Sequence, residues 1–499
     1  MRTTFNRRRF VASCARTAAA SLLPPILGLA ELAQASHKSL SQDPLRPQYH
    51  LLPAANWMND PNGPIYWNGN YHVFYQYNPG AARWGDMHWA HAVSQDMINW
   101  RHLPIALSPN PTGPDRDGCF SGSTVVYKGK PTILYTGVRA TTPLNATLRD
   151  GTHNFRESQC IATPNDPNLR SWTASSIPVI AGPPDGLAVT GFRDPCVWND
   201  RGFWYMAIGS GFKKVGGAVL LYRSTDLQSW NYLHPLITGK WNASLTVDPV
   251  DSGEMWECPD FFPLGRKHVL LYSTERRVHW QVGNFDPVAL KFYPEVQGLL
   301  DTGAFYAPKS MLDATGNRIL WGWIPETRSE AQYVTAGWAG AMALPRVVSL
   351  QPDNSLAIRP LPSLAGLRIS PTPNQSSSFQ DFSGEVFISF ERTAPEASVR
   401  LGSSRQSYLD LQYRADDPSR MSIDGKSYEL PESERAIVDI HIFMDGSIVE
   451  LFVGRRLAHT KRVYDLDVHS PESIVTMSQC SRPSVWQLRP ISKDRLTDP

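Results

Sequence analysis

The chain has 499 residues, 41% of them hydrophobic and 11% aromatic, enough to bury a sizeable core and, by length, to favour two or more domains over one. Its 48 basic and 46 acidic side chains leave a formal charge of +2. No field of one sign is therefore available to gather nucleic acid or an anionic membrane surface, and a neutral partner fits better.

The N-terminus reads as an address. Arg7-Arg8-Arg9-Phe10 gives a twin-arginine pattern, an apolar stretch runs from Ala18 to Ala30, and Ala33-Gln34-Ala35 supplies a small-residue cleavage site. Residues 1–35 are expected to be a removable leader, with the mature protein starting near Ser36 and exported to the periplasm or beyond. No later segment reads as a membrane span. The cysteines show no Cys-x-x-Cys spacing, so neither a disulfide framework nor a zinc site is expected. Export of an already folded chain favours buried free thiols.

From Tyr49 to Leu350 helical periodicity is nearly absent, and one pattern recurs five times. Small or acidic residues enter an apolar strand, the chain turns on Gly, Asn or Asp, and a second strand returns ending in aromatics. The copies open at Asn59-Asp60-Pro61-Asn62-Gly63, Phe120-Ser121-Gly122-Ser123, Arg193-Asp194-Pro195, Trp256-Glu257-Cys258-Pro259-Asp260 and Tyr306-Ala307-Pro308-Lys309. A second echo pairs Ser94-Gln95-Asp96-Met97-Ile98-Asn99-Trp100 with Ser224-Thr225-Asp226-Leu227-Gln228-Ser229-Trp230, tails suited to outer strands. With a spacing of roughly 50–75 residues and room for about four strands per copy, the all-β expectation is a five-bladed propeller over 36–350, a long β-sandwich being the alternative. Pro, Ser and Asn then predict a linker over 351–378. Two-sided alternation such as Val438-Asp439-Ile440-His441-Ile442-Phe443, turning at Asp445-Gly446, predicts a C-terminal β-sandwich over 379–499.

In a propeller the first strand of each blade lies nearest the axis, so the starts of the five copies gather at one mouth of the central channel. Three of them carry an acid, Asp60, Asp194 and Glu257. Glycoside hydrolysis needs two carboxyl groups in different protonation states, one to attack or activate water and one to protonate the leaving oxygen. Glu257, between the apolar Trp256 and Cys258, is expected to hold the proton, whereas the Arg193 guanidinium is expected to keep Asp194 ionised. An Asp-Pro pair alone is more often a turn than a catalytic group; it is the coincidence of three at equivalent positions that points to chemistry. His88 and His91 are expected to be structural, and the glycines around Lys213-Lys214 form no phosphate loop and read as a hairpin turn.

These residues resemble a known family. Trp57-Met58-Asn59-Asp60-Pro61-Asn62-Gly63, Phe192-Arg193-Asp194-Pro195 and Trp256-Glu257-Cys258-Pro259-Asp260 are similar to the three signature blocks of glycoside hydrolase family 32, the invertases, levanases, inulinases and related fructosyltransferases. The resemblance continues through Phe74-Tyr75-Gln76-Tyr77-Asn78-Pro79, Trp84-Gly85-Asp86-Met87-His88-Trp89 and Trp321-Gly322-Trp323 into the C-terminal region. It implies a propeller plus sandwich, with Asp60 as nucleophile, Glu257 as acid/base and Asp194 bonding fructose hydroxyls. It also implies a fructose subsite of Asn59, Gln76, Trp84, Ser121 and Arg193 with aromatic walls Trp57, Phe120 and Trp323. The implied reaction retains configuration, with nucleophile and donor about 5–5.5 Å apart. The expected substrate is sucrose or an inulin- or levan-type fructan, attacked from its end, with no cofactor and no metal. A fructosyltransferase is the alternative within the family and a fructan-binding protein the alternative outside enzymology; the resemblance leaves oligomeric state open.

Overall fold

The structure, a computed structural model, describes residues 40–430 and 436–492. The expected leader, 1–35, lies outside them. Five sheets follow one another along the chain. Blade I comprises Asn56–Trp67, Asn70–Asn78, His88–Ser94 and Arg101–Leu107, and blade II comprises Cys119–Tyr127, Lys130–Ala140 and Asn154–Pro164 with short pieces outside. Blade III is Phe192–Asp200, Phe203–Phe212, Gly216–Ser224 and Asn231–Thr238, and blade IV is Glu257–Leu264, Lys267–Thr274, Arg277–Asp286 and Lys291–Leu299. Blade V contains Tyr306–Leu312, Arg318–Ile324, Arg346–Leu350 and Leu356–Pro360. The five sequence repeats are these five blades. Trp338–Ala339 pairs in parallel with Asn56 and Trp57, while Ala341–Met342 pairs with Trp323 and Ile324, so one segment clasps blade V to blade I and closes the ring.

Each blade is covered by a neighbour on both faces, so its second strand is apolar without alternation. Val73-Phe74-Tyr75, Ile133-Leu134-Tyr135, Met206-Ala207-Ile208, Val269-Leu270-Leu271 and Ile319-Leu320-Trp321 are all buried. The Ser94-to-Trp100 and Ser224-to-Trp230 echoes are matching turns into the outermost strands of blades I and III. In each, the serine hydroxyl accepts from the amide three residues on, and Asp96 or Asp226 accepts from two further amides. Asp166 and Asp286 build related turns in blades II and IV, which the sequence comparison missed because no serine precedes them at that spacing. Lys213-Lys214 lies in a hairpin turn, as expected.

The segment expected as a linker is partly folded. Leu356–Pro360 pairs with Arg346–Leu350 as the outer strand of blade V, and Leu364 and Leu367 of the following short helical turn join the propeller core. The prolines bound these elements instead of abolishing them, because a strand end tolerates a missing N–H. Beyond them, a six-stranded and a five-stranded antiparallel sheet form the C-terminal sandwich around Val386, Ile388, Val399, Leu409, Ile440 and Leu451.

The sandwich is bolted to the propeller. Phe443, Ile448 and Phe452 from its five-stranded sheet share a core with blades I, IV and V. At the centre of that contact, fully buried Arg346 lies 2.9 Å from Asp301 and 2.7 Å from Glu450. His50 bridges Asp445 and Glu450 at 2.8 and 3.0 Å.

Candidate active site

The innermost strand of every blade carries an irregularity at the same place. The register slips by one residue between Met58 and Pro61, Phe120 and Gly122, Arg193 and Cys196, Glu257 and Asp260, and Tyr306 and Lys309. A bulge of this kind inserts one unpaired residue and re-aims the neighbouring side chains. It also explains the recurrent proline, which is tolerated where no ladder hydrogen bond is required. Asp194, Cys258 and Ala307, the equivalent bulge residues of blades III to V, all have left-handed backbone, with φ of 64°, 50° and 51°. Asp60, Asp194, Glu257 and Tyr306 are presented in this way toward one mouth of the channel.

There a pocket is lined by Asp60, Asp194 and Glu257 with Asn59, Gln76, Trp84, Phe120, Arg193 and Trp323. The three acids thus meet, as the repeats predict. Asp60 is held by three blades. Its Oδ2 accepts from Ser121 Oγ at 2.6 Å, its Oδ1 accepts from Asn59 Nδ2 at 3.1 Å, and the Cys258 thiol lies 3.4 Å away. Gln76 completes the lattice, donating to Ser121 Oγ at 2.6 Å and accepting from Asn59 at 3.2 Å. Burial, with the nearby Glu257 charge, raises the Asp60 pKa, and the hydrogen bonds from Ser121, Asn59 and Cys258 oppose that rise.

Glu257 is gripped from both sides. Arg193 donates to Oε1 through Nε at 3.2 Å and Nη2 at 2.9 Å, and Tyr306 donates its phenolic hydrogen to Oε2 at 2.7 Å. Arg193 is itself fixed by Glu157, whose Oε1 accepts from Nη1 at 2.9 Å while its Oε2 accepts from the Phe192 amide at 2.7 Å. Asp194 Oδ2 accepts from the Cys258 amide at 2.9 Å and lies 3.5 Å from its thiol.

Two expectations are corrected here. Arg193 does not keep Asp194 ionised. The bulge turns the two adjacent side chains apart, so the guanidinium reaches Glu257 and Glu157 instead. Burial, only partly offset by the Arg193 charge and reinforced by Glu257 and Asp60, pushes Asp194 up to about 7. Trp57 and Ser121 are not on the pocket surface either. Trp57 is buried behind Trp323, with ring centroids 5.9 Å apart, and its Nε1 donates to Asn59 Oδ1 at 2.8 Å; fully buried Ser121 touches Asp60 from behind.

His88 and His91 bond within the chain, His88 Nδ1 to the Asp86 carbonyl at 2.6 Å and His91 Nε2 to His72 at 2.9 Å. All five described cysteines are free thiols, four of them buried.

The sequence reading missed Glu157, Tyr306 and the rim residues Leu148, Arg149, Asp150, Thr190, Asp248 and Pro249. Tyr306 had a signal, since it takes in the fifth repeat the place that Glu257 takes in the fourth. Glu157 and the rim residues had none, because they lie outside the repeated positions.

Two carboxyl groups and a third acid gathered in one propeller pocket define a glycoside hydrolase site. The comparisons specify which. The N-terminal domain model of glycosyl hydrolases family 32 matches residues 50–360, and the family's C-terminal model matches residues 365–482. The chain belongs to glycoside hydrolase family 32. It is 35% identical to the raffinose invertase of Escherichia coli, over 82% of this chain and 87% of that protein. It is 34% identical to an Escherichia coli sucrose-6-phosphate hydrolase, over 89% and 94%. Among solved structures, a family 32 β-fructofuranosidase of Bombyx mori superposes with a TM-score of 0.77 at 28% identity, covering 95% of this chain and 98% of that one.

Proposed function

We propose that this chain is a retaining, exo-acting β-fructofuranosidase that releases terminal fructosyl units from sucrose or fructans. The observation that carries the reading is the meeting of Asp60 and Glu257 in one pocket, each oriented by groups from other blades. Asp60 attacks the anomeric carbon of the fructosyl unit while Glu257 gives its proton to the departing glycosidic oxygen. This breaks the glycosidic C–O bond and leaves a fructosyl ester on Asp60. Glu257, now a carboxylate, takes a proton from water, whose oxygen displaces Asp60 and restores the starting configuration. Ser121 and Asn59 hold the nucleophile in line, and Tyr306 with Arg193 fixes the donor. Asp194 takes the sugar hydroxyls, with the hydrogen bonds strengthening as charge develops on the ring. Trp84, Phe120 and Trp323 give the ring apolar walls.

The solved relatives support a fructose-containing sugar as substrate: a Bombyx mori β-fructofuranosidase variant is in complex with sucrose, and a Cichorium intybus fructan 1-exohydrolase variant with 1-kestose. The twin-arginine pattern supports export, to be checked by cell fractionation with Arg7 and Arg8 replaced by lysine. Purified protein incubated with sucrose, inulin and levan tests the reaction. Free fructose is expected without build-up of longer oligosaccharides in concentrated sucrose. Asp60→Asn and Glu257→Gln should each lower kcat by about 10²–10⁴ with the fold intact. Fully active variants refute the mechanism. Binding without turnover makes the chain a lectin, and accumulation of longer oligosaccharides makes it a transferase.

A further inference from the structure

The mouth of the pocket carries charge that the fructosyl end does not require. Two loops build it. One lies in blade II between Lys130–Ala140 and Asn154–Pro164 and contributes Leu148, Arg149 and Asp150; the other leads from blade III to blade IV and contributes Asp248 and Pro249. They close on each other at Gly151, where a Cβ would stand 2.3 Å from a methyl of Val247. Both loops line the pocket that holds the acids, so a leaving group attached to a fructosyl unit there meets them.

Backbone amides gathered at a turn are the groups a protein uses to receive a phosphate. At this mouth the protein's own carboxylates already occupy them. Asp150 Oδ1 accepts from the Thr152 and His153 amides at 2.8 and 2.7 Å, and its Oδ2 contacts His153 Nδ1 at 3.0 Å. Asp248 Oδ1 accepts from the Val250 amide at 3.0 Å. The amide and imidazole partners hold Asp150 ionised, overcoming its burial. Carboxyl groups outnumber the guanidinium groups. Five carboxyl groups line the pocket, Asp60, Asp150, Asp194, Asp248 and Glu257, against Arg149 and Arg193. Arg193 is paired with Glu157 and Glu257 and is also attracted by Asp194 and Asp248, and Arg149 is a single exposed side chain.

We propose that Asp150 and Asp248 are specificity determinants that restrict this pocket to uncharged leaving groups, so that it takes free sucrose and neutral oligosaccharides and refuses sucrose phosphorylated on its glucosyl unit. The inference rests on the fructosidase reading above. A sugar phosphate carries nearly two negative charges at neutral pH. A carboxylate roughly 8 Å from such a group, at the edge of solvent, disfavours binding on the order of fivefold. Together the pair gives a preference of about twentyfold.

The test compares kcat/KM for sucrose and for sucrose 6-phosphate on the full-length protein, at low salt and at about 0.5 M salt, where the Debye length falls to roughly 4 Å. Asp150→Asn, Asp248→Asn and the double variant are measured alongside. Asparagine keeps the oxygen that accepts from the turn amides, and a ratio of two substrates on one preparation cancels any loss of folded protein. The expected result is a preference for sucrose of about twentyfold, shrinking in high salt and at least fivefold smaller in the double variant. Equal use of the two sugars, or preference for the phosphorylated one, overturns the inference and leaves the fructosidase reading standing. A preference untouched by salt and by both substitutions overturns the assignment to these carboxylates. Turnover of neither sugar removes the fructosidase reading and this inference with it.

Discussion

Replacing Asp194 with Asn separates what this acid does for chemistry from what it does to stability. The carboxyl group is buried and its pKa is pushed from 3.8 to about 7. The folded protein therefore keeps this proton to higher pH than the unfolded chain does, and stability falls as pH rises from near 4 toward 7, where the native group finally ionises. At about 1.4 kcal/mol per unit, the contribution lost between pH 5 and pH 8 is about 2.5 kcal/mol. Asn has the shape of Asp and can still accept from the Cys258 amide, but it does not titrate. Urea unfolding followed by tryptophan fluorescence, on wild type and Asp194→Asn at pH 5 and pH 8, measures the difference while other titrating groups cancel. The variant is expected to gain about 2.5 kcal/mol on wild type between the two pH values while losing fructoside turnover. An advantage that is constant, or larger at pH 5, would show that Asp194 is ionised throughout and that the Arg193 charge outweighs burial after all.

Ser121→Ala removes the 2.6 Å donor to Asp60. A hydrogen bond to a charged group contributes about 1.5–3 kcal/mol, so kcat/KM should fall by roughly tenfold to a hundredfold. Because that bond opposes the burial that raises the Asp60 pKa, the acidic limb of the pH–rate profile should also move to higher pH. Glu157→Ala leaves the buried Arg193 without one of its two ion-pair partners and should destabilise the fold by about 3–5 kcal/mol in urea unfolding. Turnover should fall with it, since the guanidinium that holds Glu257 is released. Arg346→Met strands Asp301 and Glu450 between propeller and sandwich, with an expected loss of about 3–5 kcal/mol read as a lower urea midpoint, and with little change in KM for the folded fraction.

The ring of blades was legible because its repeat is chemical as well as hydrophobic. Asp60, Asp194 and Glu257 stand at or beside the same bulge in copies whose second strands are apolar throughout, Glu257 one residue before the place of Asp194, and that near-coincidence located the pocket before any geometry was known. Side-chain direction was not legible. Arg193 and Asp194 are adjacent in sequence, and only the bulge between them reveals that they serve different partners. Trp57 reads as a wall by kinship with its motif, yet it stands one layer back, steadying Asn59 and Trp323. Leu356-Ala357-Ile358 was hidden by its prolines, which mark the limits of a strand as readily as a linker. Glu157 acts through contacts made across blades, to Phe192 and Arg193, and such contacts leave no trace in local pattern.

Mounting each reactive group on a sheet of its own has a mechanical result. No shared turn or hinge ties Asp60 to Glu257, so the gap between them is whatever thickness of side chains wedges the blades apart. Gly209 shows how thin that wedge is: a single added methyl would sit 2.5 Å from the Trp256 carbonyl and 3.1 Å from that of Arg193. A change of volume far from any sugar can therefore open or narrow the reacting distance like a shim between staves. The rate of this enzyme is set partly in its dry seams.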